Sequence, residues 1–258
     1  MNKDLADRLL QIEGYAKALV QAIRVMDQMR HILEPLLAED KIGQALNAKF
    51  KDTYGGHAYN HLVPLLAQDL IRDLSRLILD EGKKTGSLKN LYRKVEIKEI
   101  HSALRERFKH IPDQFHDDEV PIPGLTLEET KQFTDSWRDK DRADYEASFD
   151  RDWLKIEAAM ASLEKNATAE KVKTFRDKYH AHHEMAPLGK DPMPFKVSDL
   201  ELTINDLLEF ADEYMIVVFE LTRLLTGASQ DVDGFSQVHR KYARDMWAIL
   251  AEVEDDDA

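Results

Sequence analysis

The sequence predicts an all-α protein, an antiparallel helical bundle with a proline-rich helical excursion. Three observations carry that prediction. Apolar residues recur at three- and four-residue spacing over long segments, the mark of helices with one buried face. Only ten glycines and eight prolines interrupt 258 residues. No segment alternates apolar and polar residues as a half-buried strand would.

The first helix carries Leu5, Leu9, Ile12, Ala16, Leu19, Ile23, Met26, Leu33 and Leu37 on one stripe, interrupted where Arg30 takes a seam position. Gly43 and then "TYGGHAYN" break the pattern. The histidines of "HAYNH" (His57 and His61) fit a turn that stitches helix ends, because Gly55, Gly56 and Pro64 flank it. After Pro64 the next helix places Leu66, Leu70, Leu74, Leu77 and Ile78 together. Arg76 can pair with Asp80, and Arg72 with Asp69 or Asp73. "EGKKTGS" ends that helix, and another follows over Val95 to Phe108.

Pro112, Pro121, Pro123 and Gly124 then mark a connection, and Thr126 with Glu129 forms a capping box that opens a short polar helix. The flanking segments still need each other to bury their stripes. Residues 1–258 therefore read as one domain, with 111–142 as an excursion and 252–258 as an acidic tail. Phe149, Trp153, Ile156, Met160 and Leu163 form the next seam. Thr168 suits the N-cap of a helix holding Val172, Phe175 and Tyr179, with Tyr179 in the core. A rigid loop around Pro187, Gly189, Pro192 and Pro194 follows. Ser198 and Glu201 make a capping box for a helix that buries Ile204, Leu208, Ala211, Met215, Val218 and Leu225 and closes at Gly227. The last helix turns Phe235, Val238, Tyr242, Met246, Ile249 and Val253 inward. Trp137, Trp153 and Trp247 read as core or excursion anchors.

Composition excludes several chemistries. There is no cysteine, which rules out disulfides, thiolate metal sites and cysteine nucleophiles. No apolar run reaches the roughly 20 residues that span a bilayer, and the acidic opening "MNKDLADRLL" does not resemble a signal peptide, so no membrane partner and a cytoplasmic location are expected. A net charge of -13 argues against a protein that coats nucleic acid nonspecifically. The sign reverses locally: Lys171, Lys173, Arg176 and Lys178 face Asp177 alone between 171 and 183.

That reversal falls on "FRDKYHAHHE", residues 175–184, which holds three of the ten histidines. On an ideal helix Arg176 lies about 67° from the mean direction of Val172, Phe175 and Tyr179, so it borders the core. His183 returns to within about 20° of Arg176, His180 lies about 40° away and His182 roughly 120° away. An arginine and a histidine at a helix end suit phosphodiester chemistry. A neutral imidazole takes a proton from a ribose 2′-hydroxyl near neutral pH. A guanidinium clamps phosphate oxygens as negative charge builds. The reaction calls for no metal and no cofactor.

The stretch "FRDKYHAH" resembles the signature of the HEPN superfamily, an arginine and a polar residue followed within four to six positions by a histidine. Residues 55–77, "GGHAYNHLVPLLAQDLIRDLSRL", further resemble the AbiU-like branch associated with bacterial abortive infection. The resemblance touches residues 55–80 and 168–226 best and does not extend to the excursion or the tail. It implies an all-α homodimer with two motifs facing a shared cleft. It also implies metal-independent RNA cleavage that leaves a 2′,3′-cyclic phosphate, a role as toxin or phage-defence effector, and in some cases a neutralising antitoxin protein. On that resemblance Arg176 and His182 are the catalytic pair, with Asp177, His180 and His183 supporting and Lys173 and Lys178 holding RNA. His183 also satisfies the spacing, so the choice of base stays open.

Plainer readings stand beside this one. Arg176 pairs on the surface with Asp177 or Glu170, and His182 rests against the negative end of a helix dipole. A metal site built from His57, His61, His180, His182, His183 and Glu184 is the rival chemistry, but the Glu-x-x-His pattern of di-metal bundles is missing. A catalytically silent helical module that binds a protein partner or a nucleotide is the alternative function, and the charge of -13 favours it.

Overall fold

The long stripe of the first segment becomes α1 (Lys3–Leu33), which buries Leu9, Ile12, Ala16, Leu19, Ile23, Met26 and Leu33. A computed structural model describes residues 3–37, 39–116, 123–181 and 197–254, with the backbone alone at 180, 181 and 197. Nine α-helices and no strand are found among them. The remaining helices are α2 (Lys41–Phe50), α3 (Tyr54–Leu74), α4 (Leu88–Val95), α5 (Lys98–Lys109), α6 (Leu127–Leu163), α7 (Ala167–Phe175), α8 (Ile204–Thr226) and α9 (Val232–Ala251). α1 lies centrally, against α3, α8 and α9, while α6 packs on α5 and α8. One apolar core joins α1, α3, α4, α5, α7, α8 and the second half of α6. A smaller one gathers Leu36, Ile42, Leu46, Tyr59, Trp247, Ala248 and Ala251 where α2, the start of α3 and the end of α9 meet.

Several elements depart from the sequence reading. Gly43 does not break the chain: it lies inside α2, capped by Asp40, whose side chain accepts from Ile42 N at 2.8 Å. A Cβ at Gly43 would stand 2.2 Å from the Leu37 carbonyl oxygen, so glycine lets α2 pack close to the end of the preceding turn. "HAYNH" is helical, because Thr53 caps α3 eleven residues ahead of Pro64. Pro64 sits within α3 and offers no N–H to the carbonyl one turn earlier. α4 was not foreseen; Ser87 caps it, accepting from Asn90 N. The expected short polar helix and the seam around Trp153 are one 37-residue helix, α6, opened by the Thr126–Glu129 capping box. Asn166 rather than Thr168 caps α7, and Thr203 with Asp206 rather than Ser198 with Glu201 boxes α8. Gly227 ends α8 at φ 73°, as a left-handed cap requires.

α9 is turned round its axis relative to expectation. Ala243, Trp247, Ala248 and Ala251 are buried, whereas Val238, Tyr242, Met246 and Ile249 face solvent. The small alanines let α9 lie close to its neighbours α1 and α2, and Trp247 Nε1 donates to the Ile32 carbonyl at 2.9 Å. The excursion is held by ion pairs. Arg142 grips Asp113 through Nε and Nη2 at 2.8 and 2.7 Å, and His116 meets Asp141 at 2.9 Å. The paired charge keeps the Asp113 carboxyl well below the usual carboxylate range. The proline-rich loop expected around Pro187–Pro194 lies outside the described residues.

Candidate functional site

α7 begins where the Asn166 side chain accepts from Ala169 N at 3.0 Å. It buries Ala169, Val172 and Phe175 against the end of α3 and against α8. Immediately after Phe175 the helix changes register: Arg176–Ala181 is a π-helix with i→i+5 bonding. The change falls on the candidate arginine. A widened turn rotates each residue less than an α-helix does, so the angles taken from an ideal wheel do not hold beyond Phe175. The Tyr179 ring packs on Phe175 with centroids 5.0 Å apart but remains 38% exposed, so it covers the core instead of joining it.

Arg176 stands at the edge of the core with its side chain 38% exposed. Its Nε donates to Asp177 Oδ1 at 2.7 Å, which leaves the two Nη nitrogens without a further partner among the described residues. Lys173 Nζ pairs with Glu170 at 2.9 Å, and Lys171 Nζ donates to the Glu201 carbonyl at 2.7 Å. Arg176 and Lys173, two of the cations expected to hold phosphate, are therefore tied to exposed carboxylates. Such surface pairs are worth only about 0–1 kcal/mol, so a phosphate group can replace the carboxylate. The structure brings Arg176, Asp177, Lys173 and Lys178 onto one short segment. His182 and His183 lie outside the described residues, and at His180 only the backbone is described.

α7 packs on a second π-helical turn, Ser75–Leu79, which continues α3. Arg76 makes no pair with Asp80 among the described residues. Arg76 Nε instead lies 2.9 Å from the buried Asp73, and Arg72 Nη2 lies 2.5 Å from Asp69. Burial lifts the Asp73 carboxyl above its usual range although Arg76 and Arg72 pull the other way. Both arginines are more than half exposed. His57 and His61, four residues apart on α3, are exposed, and no group of three potential metal-ligating side chains occurs among the described residues.

A buried polar network between α1 and α9 was visible in the sequence only as Arg30 at a seam position. Asp27, Arg30 and His31 are almost fully buried. Asp27 receives Arg30 Nη2 at 3.1 Å and faces His239 Nδ1 at 2.8 Å. His31 Nδ1 faces Glu34 Oε2 at 2.8 Å, its Nε2 faces Ser236 Oγ at 2.8 Å, and Arg30 also pairs with Asp212. The i,i+3 and i,i+4 spacing of Asp27, Arg30 and His31 is the signal that would have found it. No helix among the described residues is long and apolar enough to cross a membrane.

A family model designated HEPN_AbiU2, described as AbiU2, matches residues 9–246. The match runs through the excursion, which the resemblance of the two motif segments did not reach. No curated protein and no solved structure matches the chain.

Proposed function

The chain belongs to the AbiU2 family of HEPN proteins, and from that premise we propose that it is a metal-independent endoribonuclease of an abortive-infection or toxin–antitoxin system. The observation that supports this most is the setting of Arg176. It borders the core at a register change, Asp177 orients its Nε, and its outer nitrogens have no further partner among the described residues. π-helical turns are often found at functional sites, where they aim a side chain that an α-helix would direct elsewhere.

In this reading His182 accepts the proton of a ribose 2′-hydroxyl. The 2′-oxygen bonds to phosphorus, the bond to the 5′-oxygen breaks, and the departing oxygen takes up a proton. The products are a 2′,3′-cyclic phosphate and a 5′-hydroxyl. Arg176 clamps the phosphate oxygens as charge builds on them, and a bidentate guanidinium suits that task better than an ammonium. Asp177 positions the arginine, His180 and His183 support the base, and Lys173 and Lys178 hold flanking phosphates. Two copies of the segment facing each other in a homodimer would complete the cleft, and an antitoxin protein would act by covering it.

The alternative is a catalytically silent module that binds a protein or a nucleotide. The pairing of Arg176 and Lys173 with carboxylates favours it, as does the charge of -13. Incubation of the purified protein with total RNA in EDTA separates the two. Cleavage in chelator that disappears in Arg176→Ala and His182→Ala supports the nuclease. Loss in His183→Ala with retention in His182→Ala reassigns the base, and no cleavage of any RNA supports the silent module.

A further inference from the structure

α9 carries two apolar faces, and the chain covers one of them. At 100° per residue, Val238, Tyr242, Met246 and Ile249 fall within about 80° of one another. Their mean direction lies about 170° from that of the buried Ala243, Trp247, Ala248 and Ala251. The outer four form a stripe about 17 Å long, and Leu250 borders it. Tyr242 is 65% exposed and Ile249 71%. Exposed apolar side chains standing singly are ordinary, but four in series at helical spacing are the pattern of a face that is buried.

The charges beside the stripe select what covers it. Lys241 and Asp245 lie on one flank, about 95° and 55° from its centre, and both are exposed. His239 and Leu250 lie on the other flank, and His239 already faces Asp27 at 2.8 Å. In a twofold pair of antiparallel helices, the same flank of both copies falls on one side of the seam. With Tyr242 of each copy against Met246 of the other, the axis passes at position 244. Val238 then meets Leu250. Lys241 of each copy stands two residues, about 3 Å along the helix, from Asp245 of the other, so the ion pair forms twice. A parallel pair instead sets Lys241 against the flank of His239 and Leu250, which holds no carboxylate.

We propose that α9 is a self-association surface, on which a second copy of this chain docks by antiparallel twofold pairing of the stripe, with reciprocal Lys241–Asp245 ion pairs. Tyrosine and methionine are favoured at the centres of interfaces, and flanking charges set the orientation of paired helices. The ribonuclease reading calls for a homodimer but selects no surface outside the Arg176 segment, whereas this pairing is argued from α9 alone. Self-association and RNA cleavage are separate measurements, so either reading can fail without the other. One helix pair of this length lies at the small end of interfaces, below about 1,200 Å², as suits a dissociation constant in the micromolar range.

Sedimentation equilibrium of the full chain from about 1 to about 100 μM tests the proposal. The wild type should pass from monomer to dimer over that range. Tyr242→Ser and Met246→Ser should each weaken the dimer about tenfold or more, as truncation at the centre of an interface does. Their urea midpoints, taken where the chain is monomeric, should match that of the wild type, because the stripe faces solvent in the separate chain. Lys241→Glu should weaken association about fivefold or more, since two exposed pairs are lost at once. Lys241→Glu combined with Asp245→Lys should restore it, because the exchanged charges meet again across the antiparallel seam. A wild type that stays monomeric at about 100 μM, a dimer undiminished by either stripe substitution, or a charge exchange that restores nothing overturns the proposal. A monomer that floats with phosphatidylcholine vesicles through the same stripe assigns the face to a lipid surface and overturns it as well.

Discussion

Arg30 Nη2 lies 3.1 Å from His31 Nε2, and this contact fixes the tautomer of a buried imidazole. A guanidinium only donates, so Nε2 must accept and Nδ1 carries the hydrogen toward Glu34, 2.8 Å away. Ser236 Oγ lies 2.8 Å from the same Nε2 and donates to Asp27 Oδ1 at 3.4 Å. Neighbouring residues on α1 thus organise a hydrogen-bonded set that reaches α9 through Ser236 and His239. The network joins two helices beside the apolar packing of Phe235 and Trp247. It specifies how α9 lies on α1.

Removal of the central carboxylate is expected to be costly. Asp27→Ala leaves Arg30 and His239 without their shared partner, and Arg30 is 3% exposed. Breaking one side of a buried ion pair costs about 3–5 kcal/mol. Asp139→Ala, which removes an exposed partner of Arg142, should cost less than about 1 kcal/mol. Urea denaturation at one pH compares them, and equal losses would mean that the buried network does not stabilise the fold.

The register of α9 gives a second prediction. Trp247→Ala should destabilise by about 3–5 kcal/mol, whereas Ile249→Ser should stay within about 0.5 kcal/mol because that side chain is solvent-facing. The opposite order would restore the inward stripe that the sequence alone suggests.

The contrast shows what the sequence could and could not express. The stripe on α1 was legible because one face carries it, whereas on α8 burial extends round more of the helix and takes in Leu207, Phe210 and Tyr214 beyond the stripe read. α9 has two apolar faces, and the bulkier one (Val238, Tyr242, Met246, Ile249) outweighed the alanine face that packs. Helix starts were misplaced by a few residues where several hydroxyl or amide side chains compete for one cap, as Asn166 and Thr168 do. Arg176 was legible at the core's edge from its spacing to Val172 and Phe175. The π register was not, because a fixed rotation per residue cannot register a widened turn. Lys89, buried between Glu81 and Glu164, carried no signal on the stretch between Ser87 and Val95, which the sequence left unassigned.

That lysine makes stability depend on pH. Hydrogen bonds from Lys89 and Arg93 hold the Glu81 carboxyl down to about 2, against 4.5 when unperturbed. A carboxylate depressed on folding adds stability that is complete above its unfolded value and is lost as pH falls through its folded value. Wild type should therefore lose stability from about pH 4.5 toward pH 2 more steeply than Glu81→Gln does, and the variant should be the less stable one at pH 7. Glu81 is nearly half exposed, so solvent screens the effect and the two curves should converge gently. Parallel acid-unfolding curves would show that this clasp does not contribute to the pH dependence.

The Arg176–Asp177 pair separates orientation from charge at the proposed site. Both side chains are solvent-accessible, so Asp177→Asn should lower Tm by no more than about 2–4 °C, as befits an exposed pair worth about 0–1 kcal/mol. If the carboxylate orients the guanidinium, kcat for RNA cleavage should fall about three- to tenfold. KM should fall or hold, since a negative charge leaves the phosphate site. Arg176→Ala should lower kcat by about 10²–10³, the cost of losing one donor to a developing oxyanion. Arg176→Lys keeps the charge and loses the planar fork, so it should recover little of that loss. Cleavage by Arg176→Lys at the wild-type rate would mean that a positive charge suffices and that the π turn does not serve to aim a bidentate clamp.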